Sequence, residues 1–351
     1  MHKIRYPSLN GLRALSIFFV LFHHLGLKNN LFAGTAGVAW LVPFTNFIRD
    51  GQLGVNVFFV ISGFLITSLL LNEEAETGTV SLKNFYIRRT LRIFPAYYFL
   101  LLVYFVLQRM GVIYVPHSSW VTAITYTKYT NWFADWYTSH AWSLSIEEQF
   151  YICWPFIFLA GKSARKAIAA GIIVVVPYLR YYAISNQIPW MNDLTIFVRI
   201  DAIATGCLFA LYKDQIITMF SPHWPRLFYS AALCLFMLQL LPMIAGKSMM
   251  KLIVGPIGTT DGTIANVLIA IILMYSVFGP RNLWFQLLNN KIVNYFGLLS
   301  YSLYLWQQFF ISDASRWYTK FPQNLGCIFI AALFSYYVIE KPFNKLKARF
   351  A

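Results

Sequence analysis

Charge is scarce in this 351-residue chain: Asp, Glu, Lys and Arg make up only 12% of it, about half the share of an ordinary soluble domain. That scarcity excludes a water-soluble domain of this size. Cysteine is sparser still. Cys153, Cys207, Cys234 and Cys327 all fall inside apolar stretches at unrelated spacings, which excludes a disulfide framework and a zinc site. The chain also lacks internal repeats, low-complexity runs and any polar segment long enough for a second domain, so residues 1–351 are expected to form one unit. No metal and no permanently bound cofactor is expected.

What is present is apolar and arranged in blocks. Hydrophobic residues are 58% of the chain and mean hydropathy is +0.57. Runs such as "VNVFFVISGFLITSLLL", "AIAAGIIVVV" and "VLIAIILMYSVF" have the length and composition of membrane-crossing helices. The fold class expected is therefore an all-α integral membrane protein, a single bundle of about ten transmembrane helices. Spans are placed near 11–27, 54–72, 95–112, 142–160, 167–184, 194–212, 227–245, 262–278, 292–311 and 323–339.

The formal net charge of +15 would suit nucleic acid, but its distribution argues otherwise. With both termini on one side, 17 Lys and Arg fall on that side, from Lys3, Arg5, Lys83 and Arg88 through Lys162, Lys213 and Lys291 to Arg349. Eight fall opposite: Lys28, Arg49, Arg109, Lys128, Lys247, Lys251, Arg316 and Lys320. Basic residues collect in short cytoplasmic loops, so both termini are expected in the cytoplasm, and the basic character reflects a lipid-bilayer topology rather than nucleic-acid binding. The first span is not expected to be a cleaved signal peptide. No small-x-small site follows it, and it carries Arg13, His23 and His24.

Ionisable groups inside apolar spans are costly and usually functional. The first span holds Arg13 and His24, the fourth Glu147 and Glu148, the sixth Arg199 and Asp201. Arg13 and His24 are eleven residues apart, which places them on one helical face with an axial separation of about 16 Å, while His23 turns roughly 80° off that face. Depth counted from the helix ends puts His24, Glu147 and Arg199 at one level in the outer half of the membrane. A histidine held by a carboxylate is the usual equipment of a general base. The structural alternative is an interfacial histidine with interhelical ion pairs among the glutamates and arginines.

The blocks "YPSLNGLRALSIFFVLFHH", "GQLGVNVFFVISGFLIT", "FYIRRTLRIFPAYY", "AWSLSIEEQFYICWP", "RIDAIATGCLFA", "GLLSYSLYLWQQ" and "YYVIEKPF" follow one another in an order that resembles the acyltransferase 3 family of bacterial membrane O-acyltransferases. The resemblance runs from residue 6 to 343. It implies transfer of an acyl group, usually acetyl from cytoplasmic acetyl-CoA, to a hydroxyl of a glycan or similar carbohydrate acceptor outside the inner membrane. The family's Arg-x10-His pattern falls on Arg13 and His24, its Arg-x-x-Arg on Arg89 and Arg92, its "SLSxEEQFY" block on Glu147 and Glu148, and its Arg-x-Asp block on Arg199 and Asp201. His24 is then the expected base, assisted by Glu147 or Glu148.

Two departures accompany the match. Many members read Trp-His after "SYSLYL", where this chain has Trp306 and Gln307, and Asn56 stands where an Asp is frequent. Some members continue into a periplasmic hydrolase-like domain. The expectation here is the acyltransferase-only form, which must deliver the acyl group itself or hand it to another protein. Arg88, Arg89 and Arg92 suit coenzyme A phosphates, since guanidinium forks match phosphate oxygens, although positive-inside anchoring also demands basic residues there. Tyr301, Tyr304 and Trp306 could line an acceptor or pantetheine channel or simply pack between helices. Gly54, Ser62, Gly63, Gly206 and Gly297 suit close helix contact, and Trp142 reads as an interfacial anchor. The competing function is a proton-coupled transporter or flippase of a polysaccharide or lipid-linked precursor; a structural membrane partner would leave the buried charges unexplained. The sequence leaves the oligomeric state, the acceptor's identity, the acyl group and the choice between direct transfer and an acyl-enzyme open.

Overall fold

The computed structural model describes residues 6–29, 41–130, 134–186, 188, 196–244, 262–312 and 316–350. Among these the regular structure is entirely helical. The principal helices are α1 (Leu9–Lys28), α2 (Val42–Ile48), α3 (Gly51–Thr77), α4 (Leu82–Arg109), α5 (His117–Ile124), α6 (Ala141–Leu159), α7 (Lys162–Ser185), α8 (Ile196–Leu211), α9 (Lys213–Phe220) and α10 (Trp224–Ile244). They are followed by α11 (Thr263–Phe278), α12 (Leu283–Leu288), α13 (Lys291–Phe310), α14 (Gln323–Phe334) and α15 (Lys341–Lys347). A π-helical turn, Ser335–Glu340, joins the last two without a break.

Each of the ten expected spans falls on a helix. Residues 194, 195 and 245 at the span ends, and Lys3, Arg5, Lys247 and Lys251 of the charge comparison, lie outside the described residues. Among the described residues five helices are long and apolar enough to cross a membrane: α1, α3, α4, α7 over Lys162–Ala183, and α14 with its continuation to Lys347. Their surfaces are dressed for lipid. Leu102 and Phe105 on α4, Val174 and Tyr178 on α7, and Ile330 on α14 are exposed, while Asn56, Asp201, Asn266 and Gln307 are buried. An apolar outside around a polar inside is the arrangement a hydrocarbon solvent favours.

The central helix is α3, the most fully buried of the five. Its start is capped by Asp50, whose carboxylate accepts from the Leu53 amide at 2.8 Å, and it ends at Gly78, whose φ of 77° suits glycine. One side of α3 packs on α1 and the other on α8, with α13 against α1 and α7 against α8. Glycine permits these approaches. A methyl group on Gly63 would strike the backbone of Ile203, one on Gly206 the backbone of Val60, one on Gly54 the carbonyl of Ser16, and one on Gly297 the backbone of Asn10. Small residues at helix crossings are the means by which membrane helices pack closely. The crossings bring the polar residues of α1, α3, α4, α6 and α13 around a shared interior.

Candidate active site

Three cavities lie next to one another in that interior. The first, of about 530 Å³, is lined by Tyr6, Ser8 and Asn10 at the start of α1, and by Arg13, Arg89, Arg92, Asn289 and Asn294. Three guanidinium groups and no carboxylate line it, so its walls favour an anion. The second, of about 370 Å³, shares Asn10, Arg13, Leu65, Arg89 and Arg92 with the first and adds Ser62, Ser143, Glu147, Tyr151, Tyr301, Tyr304 and Glu340. The third, of about 440 Å³, holds His23, His24, Gln52, Asp135, Trp136, Ser139, His140, Trp142 and Gln308. Val55 and Tyr304 line both the second and the third.

In the second cavity Glu147 accepts from the Ser62 hydroxyl at 2.7 Å. The Arg89 guanidinium lies over the Tyr151 ring, 4.3 Å from its centroid. Tyr301 donates to the Ile93 carbonyl at 2.9 Å. Glu340, a residue the sequence had not singled out, bonds the Ser302 hydroxyl and faces the same space. It leaves the π turn, a feature often found at functional positions. Ser62, named for packing, thus also holds a carboxylate.

In the third cavity His24 Nδ1 meets Gln307 Oε1 at 3.2 Å. An amide oxygen only accepts, so Nδ1 donates and Nε2 keeps its lone pair. The ring of Trp136 stands edge-on to His24, with centroids 5.6 Å apart, and Lys28 lies over the Trp136 ring. His23 is engaged differently, its Nδ1 donating to the Arg49 carbonyl at 2.9 Å. Tyr304, in the wall, donates to the His140 carbonyl and shares a hydrogen bond with Ser143, both at 2.7 Å.

Several expectations are corrected by this geometry. His24 and Glu147 do not meet: the partner of His24 is Gln307, and Glu147 sits with Arg13, Arg89 and Arg92. Depth counted from helix ends misleads here because the helices do not end at one level. His140, the N-cap of α6, and Trp142 in its first turn line the third cavity with His24, and Glu147 lies five to seven residues further on, about 7–10 Å along the axis. Arg13 and His24 do share a face, and that face follows the row of cavities, so the two line different chambers. His23, expected off the face, nevertheless borders the His24 cavity. Glu148 lines none of the three. Arg88 also stands apart from Arg89 and Arg92: it pairs with Glu73 at 2.6 Å and donates to the Phe350 carbonyl at 2.9 Å. Trp142 is buried against Phe59 and lines the third cavity, so it is not an interfacial anchor.

Arg199 and Asp201 are both buried but border none of these cavities. Asp201 pairs with Arg180 of α7, two contacts at 3.1 Å, and accepts from Thr263 and Asn266 of α11. This ion pair ties α7, α8 and α11 together, and its buried carboxylate is fully hydrogen-bonded, as burial demands. The charge of Arg180 inside "YLRYY" was a legible signal for it; nothing in the spacing marked His140, Gln52 or Gln308.

Comparison with known proteins agrees with the resemblance carried by the ordered sequence blocks. The acyltransferase 3 model, described as an acyltransferase domain, matches residues 6–340. Among curated proteins, the chain is 30% identical to "Putative O-acetyltransferase SACOL0978" of Staphylococcus aureus strain COL, and 29% identical to O-acetyltransferase OatA of Staphylococcus aureus strain NCTC 8325. In each case the match covers 98% of this chain and 58% of the relative, so the chain spans little more than half the length of those proteins. No solved structure matches significantly. With one family model running through α1, the arginines of α4, the glutamates of α6 and the π turn that carries Glu340, the chain belongs to the acyltransferase 3 family.

Proposed function

We propose that the chain is a multi-pass O-acyltransferase of the bacterial inner membrane. It moves an acyl group, acetyl in the first instance, from cytoplasmic acyl-CoA to a hydroxyl of an extracytoplasmic glycan. The observation that carries this reading is the row of three cavities, arginine-lined at one end and histidine-lined at the other. The relatives, named as a putative O-acetyltransferase and as O-acetyltransferase OatA, support the chemistry. Five helices long and apolar enough to cross a membrane, the ten apolar segments of the sequence, and the 17 basic residues on the side of the termini against eight opposite support a reading of ten spans with cytoplasmic ends.

In this reading acyl-CoA enters from the side of Tyr6 and Asn294, and its phosphates rest on Arg13, Arg89 and Arg92. The pantetheine arm occupies the second cavity, and the thioester reaches the wall formed by Val55 and Tyr304. His24 Nε2 takes the proton of the acceptor hydroxyl while Gln307 holds the ring. The hydroxyl oxygen forms a bond to the thioester carbon, the carbon–sulfur bond breaks, and the thiolate leaves with the proton returned by His24. Glu147, bonded to Ser62 among the arginines, orients the guanidinium groups rather than the histidine.

Purified protein given acetyl-CoA and a mixed acceptor preparation of bacterial surface glycans should release free coenzyme A faster than with acetyl-CoA alone. A transporter or flippase would release none, and that result would end the acyl-transfer reading.

A further inference from the structure

The third cavity contains polar groups that the chemistry above does not use. His140 is 4% exposed, and neither of its ring nitrogens makes a hydrogen bond of full geometry among the described residues, although the Tyr137 backbone lies close to the ring. Gln308 is 1% exposed. Its amide nitrogen donates to Ser139 at 2.7 Å, while its Oε1 is buried and unpaired. The Oε1 of Gln52 is likewise buried and unpaired. All three residues line the cavity that holds His24. Buried polar atoms without partners are uncommon, and four of them in one chamber call for an explanation.

We propose that this chamber is the acceptor seat, and that His140, Gln52 and Gln308 recognise a glycosyl unit through two or more of its hydroxyl groups. The inference rests on the acyl-transfer reading and adds the residues that read the acceptor. The unpaired set selects the ligand class. Amide oxygens only accept, so the ligand must donate to Gln52 and Gln308; a neutral imidazole offers one donor and one acceptor pointing away from opposite edges of the ring, which takes two separate hydroxyls to satisfy. Phosphate or carboxylate ligands would bring lone pairs against those oxygens and against Asp135, whose own oxygens are taken by Lys128 and Thr138. A simple alcohol would fill one of the vacant bonds and leave the rest, whereas neighbouring hydroxyls of a sugar ring fill several. Trp136 and Trp142 give the chamber apolar walls suited to the carbon faces of such a ring. At about 440 Å³ the chamber lies within the usual range for small-ligand sites. A hydroxyl held by these groups stands beside His24, which takes its proton.

The test is binding without turnover. Fluorescently labelled protein in detergent is applied to an array of immobilised bacterial oligosaccharides, with an immobilised alkanol and a serine peptide as controls. Wild-type protein should be retained on a subset of the glycans and on neither control. His140→Phe, which keeps a flat ring, and Gln308→Met, which keeps side-chain length, should each weaken retention about tenfold. Size-exclusion profile and detergent melting temperature verify that the variants fold; if His140→Phe does not, Gln308→Met decides alone. Absence of retention on every glycan, or retention unchanged in the folded variants, overturns the proposal. Because no acyl-CoA is present, glycan capture without coenzyme A release in the earlier assay would sink acyl transfer and leave the seat standing. Coenzyme A release with the serine peptide, and no glycan capture, would do the reverse.

Discussion

At the scale of single residues, two adjacent histidines offer an internal control. Both line the same chamber, but His23 donates to a backbone carbonyl while His24 is held by a side chain that fixes its tautomer. His24→Ala is expected to reduce acyl transfer by about 10²- to 10⁴-fold, the usual loss for a general base, with little change in detergent melting. His23→Ala should keep most of the activity; the opposite order in coenzyme A release rates would move the base to His23. Gln307 acts through His24. Gln307→Met should lower kcat about tenfold, the worth of one hydrogen bond, and leave the KM for acetyl-CoA alone. Gln307→His, whose ring can again accept from His24 Nδ1, should recover part of the loss, and equal activity in the two variants would deny Gln307 this role. Arg89 and Arg92 invite a third exchange. Replacing both with Lys preserves the charge that orients the chain but removes the bidentate fork, so membrane insertion should be normal while the apparent affinity for acetyl-CoA falls. Unchanged kinetics would return these arginines to anchoring.

At the scale of helices, the crossing of α3 and α8 sets where everything else sits. Gly63 and Gly206 face each other's backbones across it, and backbone cannot swing aside as a side chain can. Gly63→Ala is therefore expected to force the helices apart at a cost of about 1–3 kcal/mol, read as a lower melting temperature in detergent. Gly171 of α7 has nothing within reach of an added methyl, so Gly171→Ala should leave melting unchanged or raise it slightly; equal losses in both variants would mean that helix contact is not what Gly63 provides. The glycines were legible as contact residues in the chain, because only small side chains let membrane helices approach. Their partners were not, since a glycine says nothing about which backbone it will meet. The π turn at Ser335–Glu340 was also illegible: one additional residue in a helical turn leaves the apolar pattern intact while redirecting Glu340 toward the arginines.

At the scale of the whole molecule, the charge asymmetry predicts orientation. Reporter fusions after Phe350 and near Lys162 should both report cytoplasm, and one near Asn186 the opposite side; a C-terminus outside would remove the inner-face entry for acyl-CoA and reverse the row of cavities. Membrane embedding, the helical segments, the shared face of Arg13 and His24 and the family itself were determined by the sequence alone. Each is a property of composition, of order along the chain or of periodicity within one helix. Which polar groups meet was decided only by the tertiary structure. Periodicity sets the direction of a side chain about its own axis, but not the height or rotation of one helix against the next, which the glycine crossings fix. That is why Glu147 went to the arginines and Gln307 to His24, why Asp201 found Arg180, and why His140, unmarked by any spacing, came to stand in the chamber with the proposed base.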